Sequence, residues 1–290
     1  MILVDYSGSM FAAIYVELNR SKGTTYSKDI LRHILITQLR SYNRKFREQY
    51  GKMVICLEGG SCWRKDVFPN YKALRAKSRI DSGIDWKKIF EDMNDITSEL
   101  MEYLPYKFVR VQGLEADDVI ALLTLSYNTI AEEDVMGNID PVLIISNDKD
   151  YKQLHKLRFV TQYLPQKGTI YKEKDPDFAL LDLIVHGDKA DGIPNINSDI
   201  NTFVDGKRQK PIPNNMMRTL VSSGFQILNE DQRKRFRENE QLISFNKIPN
   251  EYYKKVIDEY SKPKTYSKMK LFNYFAQNKL REQIDHITDF

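Results

Sequence analysis

A chain of 290 residues has room for one large domain or two smaller ones, and 41% hydrophobic residues supply a core, which excludes a disordered chain. The 44 Lys and Arg against 40 Asp and Glu leave a formal charge of only +4, and two cysteines, Cys56 and Cys62, support neither a disulfide framework nor a paired-thiol zinc site. No apolar run approaches the ~18 residues that span a bilayer, and the opening Met-Ile-Leu-Val-Asp is not a secretory signal, so the expectation is a thiol-reducing, cytoplasmic setting with no membrane partner.

In chain order, Met1–Val4 is a short apolar run that ends on Asp5, the pattern of a buried strand presenting a carboxylate at its C-terminal end. Ser27–Tyr50 carries Ile30, Ile34, Leu35 and Leu39 on one helical stripe. Lys52–Glu58 reads as a second strand, again closed by an acid. Asp85–Leu104 is helical, with Trp86, Ile89, Phe90, Met93 and Ile96 at helical spacing, and Tyr106–Val111 is a third strand. Glu115–Tyr127 opens on acids, which the helix dipole favours, and then turns apolar. Val142–Ser146 is a fourth strand, followed at once by Asp148 and Asp150. This alternation predicts an α/β fold, a parallel-type central sheet flanked by helices, whose ligands gather at the C-terminal strand ends. Past residue 190 the strand-like runs stop. Asn and Pro cluster from Ile193 to Asn215 as the one candidate linker, and helical stretches follow at Met216–Phe225, Glu230–Ser244, Glu251–Tyr260 and Ser267–Gln277. The expected division is an α/β domain over 1–190 and a helical region over 191–290.

The small net charge conceals segregation. Arg20–Lys52 holds nine basic residues against Asp29 and Glu48, and Arg64–Arg79 holds six against Asp66. Glu115–Asp150 reverses the balance, with nine acids against Lys149. Basic character returns at Lys207-Arg208-Gln-Lys210, at Arg233-Lys-Arg235 and from Lys262 to Lys270. A single basic run is usually a solvated helix face. Beside such acid clusters, the runs together suggest a metal–carboxylate centre next to a phosphate-binding surface. Asp5, Glu58, Glu115, Asp117, Asp118, Asp148 and Asp150 all fall at or just past the ends of four successive strands. Asp188 and Asp191 add two more, adjacent in space if their turn is helical. Grouped carboxylates repel one another until a cation enters, and oxygen-only ligation suits Mg²⁺ or Mn²⁺. A pair of such ions, ~3.5–4 Å apart, serves in-line phosphoryl displacement. The four histidines are scattered, and neither a Ser-His-Asp pattern nor a Gly-rich phosphate loop competes. One alternative is that Asp5-Tyr-Ser7-Gly-Ser9 matches the D-x-S-x-S of von Willebrand type A modules, which would make the chain a metal-bridged protein-binding module. That reading leaves the later acids without a task.

Four strings in order carry a resemblance: Trp63-Arg64 leading to Tyr71-Lys72-Ala-Leu-Arg75, Leu114-Glu115-Ala-Asp117-Asp118-Val-Ile-Ala121, Ser146-Asn-Asp148-Lys-Asp150-Tyr-Lys-Gln-Leu154, and Gly187-Asp188-Lys-Ala-Asp191-Gly-Ile-Pro194. They resemble the 5′ nucleases, that is, flap endonucleases and the 5′-nuclease domains of bacterial DNA polymerases. Within that family the chain looks most like the RNase H type of T-even bacteriophages. The resemblance implies two divalent metals, Mg²⁺ or Mn²⁺, held by Asp5, Glu58, Glu115, Asp117, Asp118, Asp148, Asp150, Asp188 and Asp191. It implies 5′→3′ hydrolysis of RNA–DNA hybrids and of DNA duplexes with a 5′ flap or fork, removing RNA primers and flaps during replication. It also implies a monomer working with a replication single-strand-binding protein, in the host cytoplasm if of phage origin. Residues from about 62 to 105 would form an arch over the site. Lys72 and Arg75, three apart, would grip the scissile phosphate, and Arg64 suits a bidentate phosphate contact. Tyr71 would stack on a base or sit in the core. Lys65, Lys207, Arg208 and Lys210 would contact the nucleic acid. Two departures stand out. Glu58 replaces the family's Asp and is one methylene longer, and the glycines that follow the last acid pair, which form a duplex-binding ion site in the family, are missing from Asn195–Asn201.

Overall fold

Six strands form one sheet in the computed structural model, which describes residues 1–20, 26–133 and 141–290. Lys22 of the first basic stretch, and Asp134 and Asp140 of the acidic one, lie outside the described residues. The strands are β1 (Ile2–Asp5), β2 (Met53–Leu57), β3 (Lys107–Arg110), β4 (Val142–Ile145), β5 (Val160–Leu164) and β6 (Thr169–Tyr171), in the order β3-β2-β1-β4-β5-β6. Every neighbouring pair is parallel except β5–β6, which is antiparallel. Ile2 stands opposite both Met53 and Leu143, and Asp5 opposite Cys56, so the central strands end together. That register brings the residues just past β1, β2 and β4 to one edge.

The helices are α1 (Tyr6–Arg20), α2 (Lys28–Tyr50), α3 (Arg64–Val67), α4 (Ala73–Asp81), α5 (Trp86–Tyr103), α6 (Ala116–Glu133), α7 (Pro176–His186), α8 (Met216–Ser223), α9 (Glu230–Ile243), α10 (Glu251–Ser261), α11 (Lys268–Gln277) and α12 (Arg281–Asp285). β1, β2 and β4 are buried along their whole length, so both faces of the sheet need cover. Strand alternation supplies it. Ile2 and Val4 pack into a core with α1, α2, α5 and α11, whereas Leu3 packs into another with α6 and the α9–α10 region. The chain caps its helices locally: the Ser27 hydroxyl accepts from the Ile30 amide, and α2 stops at Gly51, whose φ of 78° suits glycine.

Several expectations change. β5, β6, α1 and α7 are additional to the elements foreseen. Within 62–105, the span expected to form an arch, Ile89, Ile96 and Leu100 of α5 are fully buried in the sheet's helical layer. This leaves α3, α4 and their connections over the acid edge. The Asn-Pro stretch is a packed loop and not a linker. Buried Asn195 donates to the Lys210 carbonyl and accepts from Ser198 Oγ, tying residues 195–198 to 209–211.

Candidate active site

Asp5 ends β1 as a buried carboxylate held at both oxygens. Gly8 N donates to Oδ1 and Ser146 Oγ to Oδ2, each at 2.9 Å. A Cβ on Gly8 would stand 3.0 Å from Asp5 Oδ2, so any larger residue in the first turn of α1 would press on this acid and shift it. Past β4, Ser146 Oγ accepts from Asp148 N at 3.1 Å, and Asp148 Oδ1 accepts from Asp150 N at 2.9 Å, winding the two acids into a tight turn. Gln162 of β5 clamps that turn from behind, its Nε2 donating to the carbonyls of Ser146 (2.8 Å) and Asp148 (2.7 Å). Tyr151 OH donates to Asp117 Oδ1 at 2.5 Å and sets the acid that opens α6. Asp188 Oδ1 accepts from the amides of Ala190 and Asp191, so this last acid pair sits on a turn, not on a helix. Lys149 Nζ lies 3.0 Å from Asp188. Asp5, Asp148, Asp150, Asp188 and Asp191 line one cleft of about 580 Å³, and a recess beside it adds Glu115 and Asp117.

These carboxylates strain against one another. Burial, then the charges of Asp5 and Asp148, pushes Asp117 well above the usual range, and burial with Asp148 and Asp188 does the same to Asp150. Burial raises Asp5 as well. Glu58 has its edge in solvent, yet the protein crowding it, followed by Glu115, lifts it to about 7; Ser7 hydrogen-bonds to it. Glu115 behaves oppositely. Burial favours its protonation, but Lys72 and Arg64 outweigh that and hold it down to about 2. The repulsions form one chain, with Asp5 and Asp117 on one side of Asp148 and Asp150, which Asp148 also raises, leading on to Asp188 and Asp191. Asp150 Oδ1 is buried with no hydrogen-bond partner. An orphaned carboxylate oxygen among raised acids, with only hard oxygen donors about it, fits divalent cations of the Mg²⁺ kind.

The basic side chains divide. Lys72 precedes α4 in the left-handed region at φ 58°, so it does not share a helix face with Arg75. Both nevertheless converge on Asp191: Lys72 Nζ lies 2.5 Å from Glu115 Oε1 and 3.7 Å from Asp191, and Arg75 Nη2 donates to Asp191 at 2.5 Å. Arg64 corrects an expectation. It is 3% exposed, with Nη1 and Nη2 on Asp118 (2.9 and 2.8 Å), Nη1 also on Glu115 (3.1 Å), and Nε on the Leu242 carbonyl (2.7 Å), so every nitrogen of the guanidinium is engaged inside the protein. Asp118 is corrected with it. Fully buried, it also accepts at Oδ2 from Trp63 Nε1 and the Glu115 amide, and it lines neither the cleft nor the recess. Cys62, Glu115 and Asp118 do converge closely enough for a metal, but the Arg64 guanidinium fills that position. Tyr71 is the buried alternative, its OH placed between Glu115 and Asp191 at 2.9 Å from each, so base stacking is excluded. Lys65, Lys207, Arg208 and Lys210 are exposed and do not line the cleft. Sequence reasoning missed Ser146, Tyr151 and Gln162, whose residue types carry no signal until the fold sets them beside the acids.

The adhesion-module alternative fails on this geometry, since Asp5 is turned to Gly8 and Ser146 while Ser7 serves Glu58. Comparison with known proteins agrees. Residues 1–177 match the family model of the 5′-3′ exonuclease N-terminal resolvase-like domain, and residues 175–290 that of the T4 RNase H C-terminal region. The chain is 27% identical over 299 aligned residues to the Ribonuclease H of Enterobacteria phage T4, covering 99% of this chain and 95% of that one. The phage T5 5′-exonuclease with bound zinc superposes with a TM-score of 0.57 at 15% identity, over 97% of this chain and 98% of that one. A T5 flap endonuclease in a complex with DNA and metal ions gives 0.58 at 15%, over 96% and 97%. At such identity these two structures show the shared fold alone. Among the described residues no helix is long and apolar enough to cross a membrane.

Proposed function

This chain belongs to the 5′-3′ exonuclease family, and on that premise we propose that it is a Mg²⁺- or Mn²⁺-dependent 5′→3′ nuclease that cuts RNA–DNA hybrids and DNA duplexes bearing a 5′ flap or fork, clearing primers and flaps in replication. The observation that carries the reading is the single acid edge, with Asp150 Oδ1 left unpartnered among carboxylates that repel one another. Asp5, Asp117 and Asp148 would hold one ion, and Asp150, Asp188 and Asp191 the other. When bound, the ions supply Lewis acidity and an activated water for in-line attack at phosphorus. Glu58, raised to about 7, fits a hydrogen-bonding role at the rim better than direct ligation. Lys72 and Arg75, resting on Glu115 and Asp191, are the cations placed to transfer onto a phosphate and to steady charge on it. The exposed Lys65, Lys207, Arg208 and Lys210 suit backbone contacts along a duplex. That reading extends to this chain what the T4 relative's name and the T5 complex with DNA state of those proteins.

A 5′-labelled flap duplex and an RNA–DNA hybrid, each incubated with the protein in Mg²⁺ and in EDTA and sized on a gel, test the reading. Short 5′ products in Mg²⁺ and intact substrate in EDTA are expected. Intact substrate in both would overturn it.

A further inference from the structure

At the N-terminal edge of the sheet, on the pole opposite the acids, a second cleft of about 620 Å³ opens between the starts of β2 and β3 and the segment after α10. Its charged side chains are those of Arg47, Lys52, Lys107 and Lys264; among the described residues no Asp or Glu lines it, and Phe290, also on the lining, carries the terminal α-carboxylate. Two of these cations are fixed in place: Lys107 Nζ donates to the carbonyls of Tyr260 (2.5 Å) and Lys262 (2.6 Å), and Lys264 Nζ donates to that of Met101. The side chains of Arg47 and Lys52 make no hydrogen bond or ion pair among the described residues. In the same wall Tyr106 is 5% exposed, and its OH is buried with no partner. The field of Arg47 reaches that oxygen; Asp289, the one acid whose field also does, does not line the cleft. The half-buried rings of Tyr260 and Phe290, the latter 6.3 Å from the buried Tyr106 ring, give the cleft an aromatic rim.

We propose that this cleft is a phosphate-binding site that takes a nucleoside phosphate, free or as part of a nucleic-acid single strand. Four cations against the single Phe290 α-carboxylate leave an excess of positive charge that calls for more than one further negative charge, and a phosphate brings about −1.5 to −2 and three acceptor oxygens where a carboxylate brings −1 and two. The volume is that of a small-molecule pocket. The orphaned Tyr106 hydroxyl needs an acceptor, and the aromatic rim offers a base the stacking surface that single-strand binders use. The site stands apart from the acids, so it does not depend on the proposed hydrolysis.

The test is a fluorescence-anisotropy titration of the full chain with a labelled deoxynucleoside triphosphate in EDTA. Saturable binding is expected, displaced by inorganic phosphate. The double variant Arg47→Gln/Lys52→Gln should weaken it about tenfold or more, and Tyr106→Phe about threefold to tenfold. Arg47→Lys should retain most of it. Thermal melts of each variant show that the fold is intact. Displacement at lower concentration by an unlabelled single strand assigns the phosphate to nucleic acid, and the reverse order assigns it to free nucleotide. Equal affinity in the wild type and the double variant would overturn the proposal. So would displacement by an acidic peptide but not by phosphate.

Discussion

Arg64 and Lys72 both touch Glu115, yet their surroundings give them different work. Arg64 is enclosed, with Asp118 fully buried behind it, and it holds the strand-end acids in register from inside the protein. Lys72 keeps a fifth of its side chain exposed and bridges Glu115 and Asp191, which line the recess and the cleft, so on the proposed reading a phosphate there would draw it away from them. Removing one partner of a buried pair leaves the other charge uncompensated. Arg64→Met should therefore destabilise the fold by about 3–5 kcal/mol. Lys72→Ala should cost only about 1 kcal/mol while lowering kcat far more than it raises KM. Chemical denaturation of both variants, set beside their steady-state kinetics, separates the roles. An Arg64→Met protein of unchanged stability and weakened substrate affinity would return Arg64 to the phosphate.

Among the elements, β1, β2 and β4 were legible because each is a short apolar run closed by an acid or a turn, and burial on both faces demands that pattern; β3, at the sheet edge, was legible from Phe108 and Val109 between turn residues. β5 was not, because Val160-Thr-Gln-Tyr-Leu164 carries polar residues that are buried against specific partners, which periodicity cannot see. β6 has three residues, too few to show alternation. The acid edge was likewise readable from strand ends, whereas the pairing of Arg64 with Asp118, 54 positions away, arises only when α3 folds over α6. The missed strand matters to the site, because Gln162 is the link between β5 and the Asp148–Asp150 turn. Gln162→Ala frees the carbonyls of Ser146 and Asp148 and loosens the acids they carry. Supports of this kind set metal affinity, so the variant should bind Mn²⁺ about 10–100-fold more weakly while its secondary structure, by circular dichroism, stays intact. Calorimetric titration showing wild-type Mn²⁺ affinity would remove Gln162 from the site.

For the whole molecule, a charge of +4 is the remainder of opposed fields: an acid cleft at one edge of the sheet, a basic cleft at the other, and exposed basic loops. The acid pole makes stability depend on pH in a direction that can be worked out. Asp5, Glu58, Asp117 and Asp150 are all raised in the fold above their ordinary values of 3.8 for Asp and 4.5 for Glu, Glu58 to about 7. The fold then holds protons that the unfolded chain has released, and the stability they carry is lost as pH rises from the ordinary carboxylate range through about 7. Glu115, held near 2, loses its contribution only as pH falls toward that value, so it adds no slope near neutrality. A divalent cation reverses the trend, because it binds the ionised acids and displaces their protons. Metal-free protein in EDTA should melt at progressively lower temperature from pH 5.5 to 8, and the increment given by Mg²⁺ should grow over the same interval. Saturation at a hundredfold over Kd adds about 2.7 kcal/mol, or roughly 4–5 °C for a chain of this size. Differential scanning calorimetry across the pH series reads both slopes. An Mg²⁺ increment that stays flat would mean that the raised acids are not the ones the metal binds.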